Sequence, residues 1–179
     1  MEIKKSRAYK NIIKNDNNSE LFNRSLLTRP VCIPMRNVNK NIYQEIEKII
    51  NKEYEGKCVV EGYIKPKSVK LISYSSGMIK AENIIFDVVF ECNICYPVEG
   101  MILKCVINNI TKAGFRCEIP NEIPSPIVIF VTRDHHFMNN AFSDLKEGDT
   151  INVKIIGQRF ELNDKYISVI ATLEEKKRE

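Results

Sequence analysis

Apolar residues change period along this chain, and each change marks an element. From Leu26 to Val38 the pattern is extended but carries Pro30 and Pro34, which donate no backbone N–H, so it predicts an edge strand. Between Asn41 and Tyr54 the period becomes helical: Ile42, Ile46, Ile49 and Ile50 share one face, with Glu45, Glu47, Lys48 and Lys52 opposite and Gly56 as the stop signal. Strand-like patterns resume over Lys57 to Ile64 and Ser68 to Tyr74; Ser75-Ser76-Gly77 reads as a turn, and Ile84 to Cys95 as a further strand. The first half is therefore one helix laid on a small antiparallel sheet.

Pro97-Val98-Glu99-Gly100 reads as the seam to a second domain. Beyond it come five short strand-like segments: Met101 to Ile110, Phe115 to Ile119, Ile127 to Thr132, Thr150 to Arg159 and Lys165 to Leu173. With no long helix between them, they predict a small closed or partly closed barrel of the OB kind, and an α+β chain as a whole. The domains so delimited are a polar arm over residues 1–24, a helix-and-sheet domain over 25–98, a barrel over 99–173 and a charged tail over 174–179. The arm, rich in Lys and Asn, reads as a mobile segment or one weakly formed helix.

The chain has 179 residues, 44% of them hydrophobic, which fits ordinary globular domains. No stretch approaches the roughly 20 apolar residues that span a bilayer, and the start, Met1 to Arg7, has no apolar signal core, so a soluble intracellular protein without membrane contact is expected. A net charge of +4 fits contact with an anionic polymer but falls far short of a DNA-packaging arm. Ile, Asn and Lys are abundant, the usage of an AT-rich genome.

Six cysteines lie in apolar runs, and reduced, buried thiols are expected. Cys92 and Cys95 form a CxxC, yet they fall on a strand, where positions i and i+3 face opposite sides, and no second ligand pair has matching spacing. No metal and no cofactor are expected. Asp134, His135 and His136 are consecutive and cannot all converge on one substrate; with no nucleophile motif, phosphate loop or carboxylate cluster, no catalytic residue is assigned.

Several short motifs occur in a fixed order: Glu55-Gly56-Lys57-Cys58, Gly62-Tyr63-Ile64, Ser76-Gly77-Met78-Ile79 and Pro97-Val98-Glu99-Gly100, then in the barrel Lys112-Ala113-Gly114-Phe115, Ile129 to Arg133, and Val153 to Gly157. In this order and spacing they resemble the seventh-subunit stalk proteins of eukaryotic RNA polymerases and the archaeal E-prime subunit. The likeness runs from about Pro30 to Leu173. It implies a non-catalytic subunit whose first half, a tip domain, docks on the polymerase core through Gly62, Tyr63, Ile64 and Gly77, with apolar side chains exposed until assembly. It also implies a barrel of the S-one type near nascent single-stranded RNA, the largest and other core subunits as partners, and a fourth-subunit-type stalk partner. The chain departs from the family in its long polar arm and in a short turn at Ser75 to Gly77. Residence with the transcription machinery follows: the nucleus for a cellular eukaryote, the cytoplasm or virion for a large DNA virus.

On the second barrel strand, alternation sends Phe115, Cys117 and Ile119 inward and leaves Arg116 and Glu118 outside. Ala113 and Arg116 stand where S-one barrels that grip RNA carry rings. By the same resemblance Phe130, Arg159 and Tyr166 occupy RNA-facing positions, with Lys112, Arg133 and Lys154 adding charge nearby. The residues leave Phe130 open between a stacking platform and a side chain covered by a partner or the core. A patch more cationic than aromatic implies weak, salt-dependent RNA binding without base specificity. The other reading is a free-standing OB-type RNA-binding factor in translation or RNA decay.

Overall fold

A computed structural model describes residues 21–38, 41–133 and 145–174. The polar arm up to residue 20, Asp134, His135 and His136, and the tail beyond Glu174 lie outside the described residues. Among the described residues the fold is α+β: one α-helix, a small antiparallel sheet and a closed five-stranded barrel.

The sheet is organised around its longest hydrophobic run. Strand β6 (Asn83–Cys95) pairs along its whole length with β1 (Phe22–Pro34), antiparallel, from Phe22 opposite Cys95 to Pro34 opposite Asn83. On its other side β6 meets three short strands in turn: β3 (Gly62–Ile64), β4 (Lys70–Tyr74) and β5 (Met78–Lys80). Beyond β3 lies β2 (Cys58–Val59). β1 has no second partner among the described residues, as its two prolines require.

Period two along β6 buries Phe86, Val88, Phe90 and Cys92 against helix α1 (Ile42–Tyr54), which contributes the fully buried Ile46 and Ile50. The Tyr54 ring stacks on Phe90 with centroids 5.4 Å apart, and Tyr43 Oη donates to the Leu71 carbonyl at 3.2 Å. Past the helix, Gly56 N–H donates to the Ile64 carbonyl at 3.0 Å, which turns the chain into the sheet.

Two expectations for this half are corrected. Lys57 to Ile64 is a hairpin rather than one strand. Val60 and Glu61 form its turn, and the reversal depends on Gly62, whose φ of +130° and close approach to β6 leave no room for a side chain: a Cβ there would stand 2.4 Å from the Cys95 carbonyl oxygen. Ser75-Ser76-Gly77, in turn, does not reverse the chain. β4 and β5 run the same way along β6, and Ser75 bridges the break: its N–H donates to the Asp87 carbonyl at 2.9 Å, while its Oγ accepts from Asp87 N–H at 3.0 Å. The reversal comes at Ala81 and Glu82, where Ala81 takes a φ of +53°.

The barrel comprises β7 (Ile102–Thr111), β8 (Gly114–Glu118), β9 (Ile127–Thr132), β10 (Thr150–Arg159) and β11 (Ile167–Leu173). Their order is β10-β11-β9-β8-β7, closed by pairing of β7 with β10, and only β9 and β11 run parallel. Phe115, Cys117 and Ile119 are buried, as alternation requires. Gly114, at a φ of +149°, lets β8 enter against β9, since a Cβ there would fall 2.1 Å from the Val131 carbonyl oxygen.

The two halves share a core. Leu21, Cys58, Tyr63 and Cys95 pack in one cluster with the barrel interior. Backbone bonds reinforce this contact: Cys58 N–H donates to the Asp164 carbonyl at 2.8 Å and Asn163 N–H to the Cys58 carbonyl at 2.9 Å. Lys65 Nζ meets Glu122 Oε1 at 2.7 Å, and the Tyr96 ring packs edge-on to Phe160.

Candidate nucleic-acid interface

Strand register determines which outward side chains become neighbours on the barrel. Arg116 on β8 stands directly opposite Phe130 on β9, Phe130 is in register with Ile170 on β11, and Ile170 with Gly157 on β10. Adjacent strands are about 4.8 Å apart, so this row crosses the outer face of the barrel as one continuous strip. The next row runs Glu118, Val128, Ser168 and Arg159, with Val128 buried. Tyr166 lies just ahead of β11 on the same side as Ser168 and is 42% exposed; Phe130 is 41% exposed. On the other flank Lys154 pairs in register with Thr172. Lys112 lies in the β7–β8 turn, and Arg133 N–H donates to the Ala113 carbonyl at 2.9 Å, which puts these two cations at one end of the barrel.

The arginines are not free charges. Arg116 Nη2 lies 3.4 Å from Glu118 Oε1, and Arg159 Nη2 lies 3.2 Å from Glu161 Oε1, each an i, i+2 pair along its own chain segment. A phosphate would compete with both carboxylates. The centre of the face is also more apolar than the sequence reading held. Ile170 is 48% exposed beside Phe130, and alternation after the buried Val153 and Ile155 leaves Ile156 outward at the bulge between Ile155 and Gly157. The signal for Ile170 was present: Ile167, Val169 and Ala171 alternate inward, which leaves an isoleucine on the outer face.

The expected docking residues are placed otherwise than anticipated. Gly62, Tyr63 and Ile64 are buried, so they offer no exposed apolar patch. The physical reason is their position: Tyr63 pairs with Cys58 on one side and Cys95 on the other, and its ring fills the contact between sheet and barrel. Burial pushes the Tyr63 phenol pKa upward, and its hydroxyl has no hydrogen-bond partner among the described residues. Gly77 is exposed at the β4–β5 break, and apolar side chains do surface around it: Ile72, Tyr74, Met78 and Ile79.

Next to the hairpin turn, Arg29 Nη2 reaches both oxygens of Glu61 at 2.7 Å. Burial works against the Glu61 carboxylate, but the Arg29 bonds and a backbone N–H outweigh it and hold its pKa below the usual range. Among the described residues no group of three or more His, Cys, Asp or Glu is placed to hold a metal, and no helix is long and apolar enough to cross a membrane.

No family model matches the chain. It is similar to a protein of Acanthamoeba polyphaga mimivirus named "Putative DNA-directed RNA polymerase subunit L376", 32% identical over 127 residues, covering 64% of this chain and 63% of that protein. The chain thus spans less than two thirds of the length of this viral relative.

Proposed function

We propose that this chain is a subunit of a DNA-directed RNA polymerase, of the non-catalytic stalk kind, in the transcription machinery of a large DNA virus. Its helix-and-sheet half docks on the largest and other core subunits, with a fourth-subunit-type partner alongside, and its barrel meets nascent RNA. The observation that carries the RNA half is the outward row Arg116, Phe130, Ile170: a ring and an isoleucine exposed side by side on an OB-type barrel, with Lys112, Arg133, Lys154, Arg159 and Tyr166 around them. An exposed ring offers every base a stacking surface, and the cations follow a phosphate backbone. Docking is supported by exposed apolar side chains on both faces of one sheet edge, since exposed apolar surface marks partner sites. Tyr74 and Ile79 lie on the α1 side, in register with Val88 and Ile84, and Met78 on the other side, in register with Ile85. The shared core between sheet and barrel supports a single strut that transmits the docked pose to the RNA face. The similarity to a viral protein carrying a polymerase-subunit name agrees with this reading.

Affinity purification of the tagged chain from infected cells tests it. The largest polymerase subunit should co-purify in stoichiometric amount. A chain recovered alone, or with ribosomes or nucleases, would make it a free-standing RNA-binding factor instead.

A further inference from the structure

The two arginines of the barrel face have a matched arrangement. Arg116 and Glu118 lie on β8; Arg159 ends β10, with Glu161 two residues on. Between β8 and β10 lie β9 and β11, which carry Phe130 and Ile170. An apolar centre is therefore bracketed by two guanidinium groups, each turned to a carboxylate of its own segment. Neither pair braces the fold. Arg159 and Glu161 are 84% and 73% exposed at their side chains, and Arg116 and Glu118 are 48% and 35% exposed. Pairs so open to water contribute little to stability, and they open at little cost.

We propose that Glu118 and Glu161 set the strength of RNA contact by holding Arg116 and Arg159 away from phosphate. The inference rests on the reading of this face as an RNA contact. In the resting protein the bases meet Phe130 and Ile170, while each arginine reaches a phosphate only by leaving its carboxylate. Binding is then weak, and its salt dependence comes from the lysines more than from these two arginines, as suits RNA that must slide past. Removing the carboxylates leaves two uncommitted cations beside the apolar strip.

The test is binding of a labelled single-stranded oligouridine to the full chain across a range of salt. In the double variant Glu118→Gln/Glu161→Gln, affinity at low salt should rise by about two- to fivefold per carboxylate, the worth of an exposed ion pair. The slope of log affinity against log salt should steepen by up to about 1.4, since each phosphate met on a single strand adds roughly 0.7. Glu47→Gln/Glu53→Gln on α1 changes net charge equally and should leave both quantities unchanged. Adding Arg116→Ala and Arg159→Ala to the first variant should erase the gain. A double variant that behaves like the parent, or an equal gain in the helix control, overturns the proposal while the RNA reading stands. Absence of binding by the parent and by every variant at low salt overturns both.

Discussion

Cys92 and Cys95, on the same strand β6, face opposite ways: Cys92 packs in the core beneath α1, and Cys95 in the core shared with the barrel. Both are fully buried, so this CxxC cannot close on one metal ion without breaking the strand. Of six cysteines only Cys32 is exposed. A thiol reagent should therefore label one cysteine rapidly in the native protein and all six after denaturation, with Cys32→Ser abolishing the fast phase. Two fast thiols, or stoichiometric zinc lost on Cys92→Ser or Cys95→Ser, would overturn this assignment.

The same burial has a consequence at alkaline pH. Desolvation pushes the Cys92 thiol up to about 11, and desolvation with a smaller contribution from neighbouring groups pushes Cys58 and Cys95 up to about 12, from an ordinary value of 9.0. The protonated form is the one the fold favours. Stability from these thiols is thus fully present below pH 9 and is lost as pH rises toward 11 to 12, because the unfolded chain releases its protons first. Each thiol should contribute a loss on the order of 1.4 kcal/mol per pH unit in that window. Urea midpoints measured between pH 8 and pH 10.5 should be level at first and then fall, with Cys92→Ala shallower than the parent.

Much of this fold was legible because burial has a period. The alternation that sends Phe115, Cys117 and Ile119 inward, and the helical spacing of Ile46 and Ile50, both follow from side chains needing one apolar face. Relationships that no period encodes were not legible. Val60-Glu61 reads as strand by composition, and only the contact between Gly62 and the Cys95 carbonyl, distant in sequence, makes it a turn. Tyr63 looked like a surface anchor because its neighbours across the sheet, Cys58 and Cys95, bring the barrel over it only after folding. Arg116, Phe130 and Arg159 fall on the strands where the sequence reading put them, while Tyr166 falls just ahead of its strand, and the carboxylates beside Arg116 and Arg159 depend on side-chain rotamers rather than on spacing.

Gly62 and Gly114 should tolerate no side chain. Gly62→Ala and Gly114→Ala each set a Cβ against a carbonyl oxygen at a backbone angle that other residues rarely adopt, and each should destabilise by about 2 to 4 kcal/mol. Gly148 has a similar φ of +91° but nothing within 4 Å of an added Cβ. Gly148→Ala should therefore cost only about 1 kcal/mol, the backbone part alone. Equal losses at all three positions would show that close approach contributes nothing.

Docking is separable from folding by choice of residue. Met78 and Ile79 are 69% and 68% exposed, so Met78→Ser/Ile79→Ser should leave the thermal midpoint nearly unchanged while lowering recovery with the polymerase core. Tyr63→Ala, by contrast, empties a fully buried ring site and should destabilise by about 3 to 5 kcal/mol, with any loss of assembly secondary to unfolding. If the serine variant assembles like the parent, the docking surface lies elsewhere on the sheet.

On the barrel, stacking and charge should be distinguishable by salt. Phe130 presents an exposed ring whose interaction with a base releases no counterions, so Phe130→Ala should reduce oligouridine affinity by about 1 to 3 kcal/mol with the salt slope unchanged. Ile170→Ala, which removes the neighbouring apolar surface, should act in the same direction to a smaller extent. Lys112→Ala/Lys154→Ala should do the reverse: a modest loss at low salt and a slope flatter by up to about 1.4, from two phosphate contacts at roughly 0.7 each. Arg116→Ala/Arg159→Ala should flatten the slope by less than the lysine pair, because in the parent both guanidinium groups are engaged by Glu118 and Glu161. Competition with oligoadenosine should show no sharp base preference, since a ring and an isoleucine offer no hydrogen bonds to read. If Phe130→Ala binds RNA as the parent does but fails to assemble with the other stalk subunit, the apolar strip is a protein contact, and the barrel face is an assembly surface rather than an RNA surface.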